Sequence, residues 1–329
     1  MKTILITGGA GYIGSHIVEQ LVNINHNVVI LDNLYTGYKL LVNTKAKFIK
    51  GDIKNIKLLR KIIKENEIET IFHLAALLNV SDAEKNKKKY YLNNIVGTSN
   101  LIKSCENSSV KNFIFSSSCS IYGTVKGAVS EEKKPNPQGY YAFTKFKSEQ
   151  LIKENSKKFN YKYAILRYFN VAGASPSGKV GEIQKSHGHL FKNIAAESLK
   201  NKPSINIFGD DYKTKDGTCI RDYIHVSDLA DIHIKSIDFL NKKSKSFTIN
   251  CGYGIGYSVL DIANLSKKYI KKIKINFTKK RLGDVDQVYA KIEKLKKILK
   301  WKPKHNNIEH ILKSSIKWEK KLSKLNKKL

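Results

Sequence analysis

Tyr141 and Lys145 lie four residues apart in Tyr141-Ala142-Phe143-Thr144-Lys145, so on a helix they stack on one face. A free phenol, with a pKa of about 10, is a poor base at neutral pH. A neighbouring ammonium favours the phenolate, and the pair then reads as a tuned proton acceptor and donor. Ser118 stands 23 positions before Tyr141, at the end of the apolar run Phe113-Ile114-Phe115. That is where a strand of an open parallel sheet delivers groups to a ligand crevice. In a chain with 17 tyrosines and abundant lysine the spacing arises readily by chance. Its meaning rests on the elements around it.

Those elements alternate. Residues 2 to 7 read as a short buried strand, followed by Gly8-Gly9-Ala10-Gly11-Tyr12-Ile13-Gly14 and the helical pattern Ile17, Leu21, Ile24. The spacing Gly8-x-x-Gly11-x-x-Gly14 is one residue longer than GxGxxG, but the physics is shared: a tight turn, close backbone approach to a pyrophosphate, and a helix N-terminus facing the anion. The strand Val28-Val29-Ile30-Leu31 ends at Asp32, about 20 residues beyond the glycines. A carboxylate there bonds ribose hydroxyls and repels a 2′-phosphate, which favours NAD over NADP. Phe48-Ile49 leads to Gly51-Asp52-Ile53, with Asp52 toward an adenine edge. A helix over 55 to 65 precedes the strand Ile71-Phe72-His73-Leu74, which closes on Ala75-Ala76, with His73 as a packed strand residue. Tyr90 to Asn94 begins or interrupts a helix running to Cys105, and Val110 to Phe115 and Tyr163 to Leu166 are further strands. The expected fold is α/β, a doubly wound parallel (Rossmann) sheet.

The second half is looser. It reads as a helix from about His189 to Lys200, strands at Ile205–Gly209 and Ile220–Val226, a helix through Leu240 capped by Ser227, a return toward the main sheet at Phe247–Asn250, and a helix capped by Ser258. Amphipathic segments at 291–300 and 307–325 cover the core. The expected division is a cofactor-binding domain over 1–170 and a smaller, interleaved substrate domain over 171–329, with about 225–250 returning to the first.

The net charge is +32, yet of the 60 basic residues only Arg60, Arg167, Arg221 and Arg281 are arginine, and the lysines are spread along the whole length. A nucleic-acid reader concentrates its charge and uses arginine for bases and phosphates, so this charge reads as solvated surface rather than a nucleic-acid partner. The surviving arginines then mark places where a planar fork is needed. No run approaches the roughly 20 apolar residues that span a membrane, and the N-terminal apolar run is too short for a signal peptide. Cys105, Cys119, Cys219 and Cys251 are scattered without a CxxC pair, which fits a reducing, cytoplasmic setting and gives no metal framework.

Taken together, the glycine turn, Asp32, the serine strand end and Tyr-x-x-x-Lys resemble the extended short-chain dehydrogenase/reductases, and more closely the UDP-glucose 4-epimerase family. The likeness extends through Leu166-Arg167-Tyr168-Phe169-Asn170, Asp216-Gly217-Thr218, Arg221-Asp222-Tyr223-Ile224-His225-Val226 and Arg281-x-Gly283-Asp284. The resemblance implies NAD as cofactor, a UDP-sugar as substrate, and Tyr141, Lys145 and Ser118 as the catalytic residues. It implies an NAD site lined by Gly8, Gly11, Tyr12, Ile13, Gly14, Asp32, Asn33, Asp52, Ile53, Leu74, Ala75, Ala76, Asn93, Lys145 and Phe169. It implies a UDP-sugar site formed by Ser118, Tyr141, Asn170, His189, Leu190, Phe208, Arg221, Arg281, Asp284 and Val288, with the arginines on the diphosphate and Phe208 against the uracil. By the same resemblance the protein pairs as a homodimer.

The chain departs from the family at Leu78, where some members carry a cofactor-facing lysine, and at His189, which replaces an asparagine. Dehydratases place Asp and Glu where this chain has Cys119 and Ser120, which argues against dehydration; decarboxylation is argued against less strongly. A cofactor-sensing regulator has no use for Ser118, Tyr141 and Lys145 together. Val288 occupies a position where a tyrosine crowds the sugar 2-substituent in some members, so the small side chain predicts some turnover of N-acetylated UDP-sugars.

Overall fold

The computed structural model describes residues 3–183, 189–281 and 284–326. Gly283 of the Arg281-x-Gly283-Asp284 stretch, the start of the strand read over residues 2 to 7, and the chain end at 327–329 lie outside the described residues.

Seven strands hydrogen-bond side by side in the order Phe247–Cys251, Lys162–Tyr168, Asn112–Ser118, Ile68–His73, Thr3–Thr7, Asn27–Asp32, Lys47–Lys50, and every neighbouring pair is parallel. A parallel sheet is covered on both faces, which is why its strands read as unbroken apolar runs. Side chains alternate between the faces. Ile4, Ile6, Ile30, Phe72 and Ile114 join one core with Ile17, Val18 and Leu21 of the helix Tyr12–Asn23 and Leu229 and Ile232 of the helix Val226–Lys243. Leu5, Val29, Leu31, Ile71, Phe113 and Phe115 join the other with Leu59 and Ile62 of the helix Ile56–Glu65 and Ile152 of the helix Tyr140–Asn155.

The two halves of the sequence exchange strands. Phe247–Cys251 lies beside Lys162–Tyr168 in the main sheet, while Lys126–Val129 pairs with Gln287–Ala290. Gln287–Ala290 in turn pairs with Ile220–His225, which also takes Asn170–Ala172 on its other stretch. A separate two-stranded sheet joins Ser204–Phe208 and Lys274–Thr278.

Local sequence explains some element ends. Asn55 caps Ile56–Glu65 through its side chain, and Ser258 with Asp261 forms a reciprocal capping box on Val259–Ser266. Ser227 does not cap the following helix. His225 occupies the N-cap and its Nδ1 accepts the Ser227 N–H at 3.1 Å, a role open to a neutral imidazole, and burial pulls His225 down to about 2. The segment after Tyr90 continues as one turn-by-turn helix, with α geometry over Lys87–Tyr90, a π stretch over Tyr91–Val96 and α geometry again over Gly97–Lys103. The π insertion aims Asn94 inward, where it bonds Leu77 at both backbone groups and the Thr144 hydroxyl.

Candidate active site

The glycine turn is built for close approach. Gly8 has φ +78°, and a Cβ on it would stand 2.7 Å from the Ala75 nitrogen; a Cβ on Gly14 would stand 2.2 Å from the Gly8 carbonyl oxygen. Gly11 is the N-cap of Tyr12–Asn23, with no side-chain cap and no acidic residue in the first turn. A helix end left uncapped by side chains and free of negative charge suits an anion. Asp32 ends its strand beside this turn, buried, its carboxylate accepting the Ala10 N–H at 3.0 Å and the Leu34 N–H at 2.8 Å. Burial raises the Asp32 carboxyl, and these two backbone bonds oppose the rise. The turn and carboxylate together fit a dinucleotide.

The other residues expected around the dinucleotide fall in several situations. Asn33 donates to Asp52 Oδ2 at 3.0 Å. Ile53 is buried against Gly97. Leu74, Ala75 and Ala76 follow the strand Ile68–His73 and pass the glycine turn. Tyr12 turns its hydroxyl to the Gly173 carbonyl at 2.6 Å. Ile13 is half-buried in the helix that the turn begins. Asn93 is half-buried and donates to Asn94 Oδ1 at 3.0 Å. His73 is a packed residue, bonded at 2.8 Å to Thr7 and to Thr98. Burial pulls it down to about 3, with the Lys145 charge adding to the fall.

The strand Asn112–Ser118 ends in three consecutive serines, of which Ser117 donates to Glu149 of the helix Tyr140–Asn155 at 2.6 Å. Burial pushes the Tyr141 phenol above its usual range, and a hydrogen bond with the Ser118 side chain draws it back. Lys145 is buried and donates to the Ser116 carbonyl at 2.7 Å, with its ammonium 5.0 Å from the Phe115 ring centre. Burial pulls Lys145 down to about 7 against the raising effect of Glu149. The sequence assigns the lowering of the Tyr141 phenol to Lys145; the structure assigns it to Ser118, because the ammonium is turned onto a backbone carbonyl.

On the far side, Arg221 reaches Asp284 at 3.4 Å, and the Arg281 guanidinium lies 3.8 Å over the Phe208 ring. One face of Phe208 is thus covered by an arginine of the same chain. Asn170 and Tyr223 pair in register, and Arg221 pairs with Val288. Val288 is buried with Phe169, Ile121 and Tyr122, with Cys119 packed against them. Strand alternation turns Tyr289 to the other face, over Gly256. Leu190 begins the helix Leu190–Glu197 and His189 is its N-cap, with His189 Nδ1 2.8 Å from Glu182, whose charge raises the imidazole. Leu78 is exposed.

A sequence profile of the NAD-dependent epimerase/dehydratase family matches residues 4–252. The chain belongs to the NAD-dependent epimerase/dehydratase family. Within that family it is 41% identical to the UDP-glucose 4-epimerase of Lactobacillus helveticus, over 96% of this chain and 97% of that one. The UDP-glucose 4-epimerase of Stenotrophomonas maltophila, solved with NAD and formylated UDP-arabinopyranose, superimposes at a TM-score of 0.94 with 32% identity, covering 99% of this chain and all of that one. The UDP-Glc/GlcNAc 4-epimerase of Campylobacter jejuni superimposes at 0.84 with 36% identity, covering 98% of this chain and 100% of that one.

For a member of the epimerase/dehydratase family, the serine strand supplies more than sequence reading foresaw. Glu149, one helical turn beyond Lys145 on the helix Tyr140–Asn155, is fully buried and accepts the Ser117 hydroxyl of that strand at 2.6 Å. The four-residue spacing from Lys145 was the available signal.

Proposed function

We infer that this chain interconverts UDP-galactose and UDP-glucose by transient oxidation at C4 of the sugar, with NAD as a retained cofactor. The observation that carries the reading is buried Lys145, on the helix of Tyr141, bonded to the Ser116 carbonyl of the strand that ends at Ser118, in a chain of this family. NAD⁺, when bound, takes up the C4 hydride and returns it, so no net redox occurs. Gly8, Gly11 and Gly14 hold its pyrophosphate and Asp32 its ribose in this proposal, with Tyr12, Ile13, Asn33, Asp52, Ile53, Leu74, Ala75, Ala76, Asn93, Lys145 and Phe169 around it.

Tyr141 takes the proton of the 4-hydroxyl and later gives it back on the opposite face, while Ser118 orients that hydroxyl. Asn170, His189, Leu190, Phe208, Arg221, Arg281 and Asp284 hold the UDP, so that the 4-keto sugar turns over without leaving. Binding energy from the nucleotide thereby orients a distant reacting carbon. Arg221 and Arg281 supply planar forks for a diphosphate. Dehydration needs an acid beyond Ser118, and the Cys119 thiol, pushed up to about 12 by burial, supplies none at neutral pH. The direct test adds UDP-galactose to purified protein without supplementary NAD and separates the sugar nucleotides by chromatography. Formation of UDP-glucose supports the reading, and no turnover with or without NAD overturns it.

Val288 sets the breadth of the sugar site in this proposal. Val288→Tyr is expected to lower kcat/KM for UDP-GalNAc by about 10-fold or more relative to UDP-galactose, read from parallel initial rates. Equal effects on both substrates would contradict the assignment.

The division of labour proposed is residues 1–170 for the cofactor and 171–329 for the UDP-sugar, with about 225–250 shared, and the pairing of Phe247–Cys251 with Lys162–Tyr168 supports it. We propose a homodimer formed through the exposed Tyr91, Leu92 and Phe143, which lie on neighbouring helical segments. The double substitution Leu92→Asp with Phe143→Asp is expected to halve the mass seen by light scattering. Four free thiols favour a reducing, cytoplasmic setting. Among the described residues no helix is long and apolar enough to cross a membrane.

A further inference from the structure

Arg167 takes no part in the roles above, although it is one of only four arginines in the chain. Its guanidinium is buried and grips Glu149 with two bonds, Nε to Oε1 at 3.0 Å and Nη2 to Oε2 at 2.8 Å. The third nitrogen donates to the Tyr122 hydroxyl at 2.9 Å, and that hydroxyl donates to Asn250 Oδ1 at 2.7 Å. Glu149 has no exposed surface, and its Oε1 also accepts the Ser117 hydroxyl at 2.6 Å.

The register is the informative part. Ser116 bonds Lys145 through its carbonyl and Ser117 bonds Glu149 through its hydroxyl, while the Ser118 side chain lowers the Tyr141 phenol against its burial. Two successive strand residues thus bond two helix residues one turn apart, and Arg167 of the next strand, paired in register with Ser117, locks the second contact. A buried ion pair is seldom more stabilising than apolar side chains of the same volume. Geometry and field are what this one supplies.

We propose that Glu149 and Arg167 are positioning residues for the epimerisation: the bidentate pair fixes the Tyr141 helix against the serine strand and holds the Glu149 carboxylate one helical turn from Lys145. The proposal rests on the reading that Tyr141 and Lys145 carry the proton transfer. The groups facing Lys145 support it. From the Ile68–His73 strand comes His73, neutral because burial pulls it down to about 3. The serine strand presents the Phe115 ring and the Ser116 carbonyl. Its own helix presents Tyr141 and Glu149, with Lys153 at 3.7 Å and Arg167 at 2.8 Å on the same Glu149 oxygen. Among the described residues, Glu149 raises Lys145 against the larger lowering by burial.

The experiment compares wild type, Glu149→Gln, Arg167→Lys and the double variant Glu149→Gln/Arg167→Met, each as the full chain with its cofactor, in kcat, KM and pH profile for UDP-galactose and in melting temperature. Wild type must epimerise; if it does not, the underlying reading fails rather than this one. Removing the carboxylate lowers the lysine pKa, so the alkaline limb of kcat moves to lower pH. For Glu149→Gln the expected result is an alkaline limb about one unit lower, kcat reduced about tenfold near pH 8, and KM within about twofold. Arg167→Lys keeps the charge balance and loses the fork, so kcat falls several-fold with the limb unmoved. The double variant no longer buries an unpaired arginine. It is expected to regain the wild-type melting temperature but neither the kcat nor the pH profile. Recovery of kcat together with melting temperature would overturn the proposal, as would wild-type kcat in a folded Arg167→Lys protein.

Discussion

Tyr141→Phe is expected to lower kcat for UDP-galactose by about 10³-fold or more, within the range typical of a lost general acid–base group, with KM within about threefold. Phenylalanine keeps the ring and removes only the hydroxyl. The helix is held by other contacts, Thr144 to the Tyr141 carbonyl at 2.8 Å, Lys145 to Ser116 and Glu149 to Ser117, and none of these needs the phenol. The melting temperature should therefore stay within a few degrees of wild type. Ser118 cannot replace the phenol, because a serine hydroxyl neither holds nor releases a proton near neutral pH. Initial rates by coupled detection of UDP-glucose check the prediction, and a variant retaining more than about a tenth of the wild-type kcat would move the proton transfer elsewhere.

The second large effect is expected at Lys145. Lys145→Met replaces a fully buried ammonium by an apolar chain of similar length, so activity and stability should move apart. Activity is expected to fall about 10²-fold or more, since the bond to the Ser116 carbonyl and the proposed contact with the cofactor ribose are both lost. Stability should hold or rise at neutral pH because a desolvated charge is removed. The sign with pH follows from the lowered pKa, about 7 against an ordinary 10.5. Between those values the unfolded chain binds the extra proton, so wild-type stability gains from this group as pH rises through that window and loses the gain as pH falls toward 7. The variant lacks this contribution. Urea titrations of both proteins from about pH 7 to about pH 10 measure it as the difference in slope. Parallel slopes would mean that Lys145 is charged throughout in the folded chain.

Much of this was legible in residue order, because it depends on local patterns. The glycine turn, the strand ending at Asp32 and the serine strand each announce themselves within a dozen residues, and the Ser258 cap follows from Ser258 and Asp261 alone. What escaped depends on contacts across the chain. Nothing near Glu149 indicates that Arg167, 18 residues later and on the following strand, will grip it. The cap at His225 rather than Ser227 follows from burial of the imidazole, which sequence does not reveal. Asn93 and Asn94 are indistinguishable as a pair until the π stretch aims the second one at Leu77 and Thr144. Phe208 reads as an open aromatic face, yet Arg281 lies over it, a cation on a ring face that sequence distance conceals. Val288 is counted from Asp284 in the sequence; what the sequence does not show is that it is buried beside Phe169 while Tyr289 takes the opposite face.

The most direct test of transient oxidation at C4 uses UDP-galactose carrying deuterium at that carbon, turned over without added NAD in ordinary water. The account predicts that UDP-glucose forms with the deuterium still at C4, because the hydride leaves and returns within one active site while only the hydroxyl proton passes through Tyr141. Loss of the label to solvent would mean that C4 is inverted by proton abstraction, and would contradict the account.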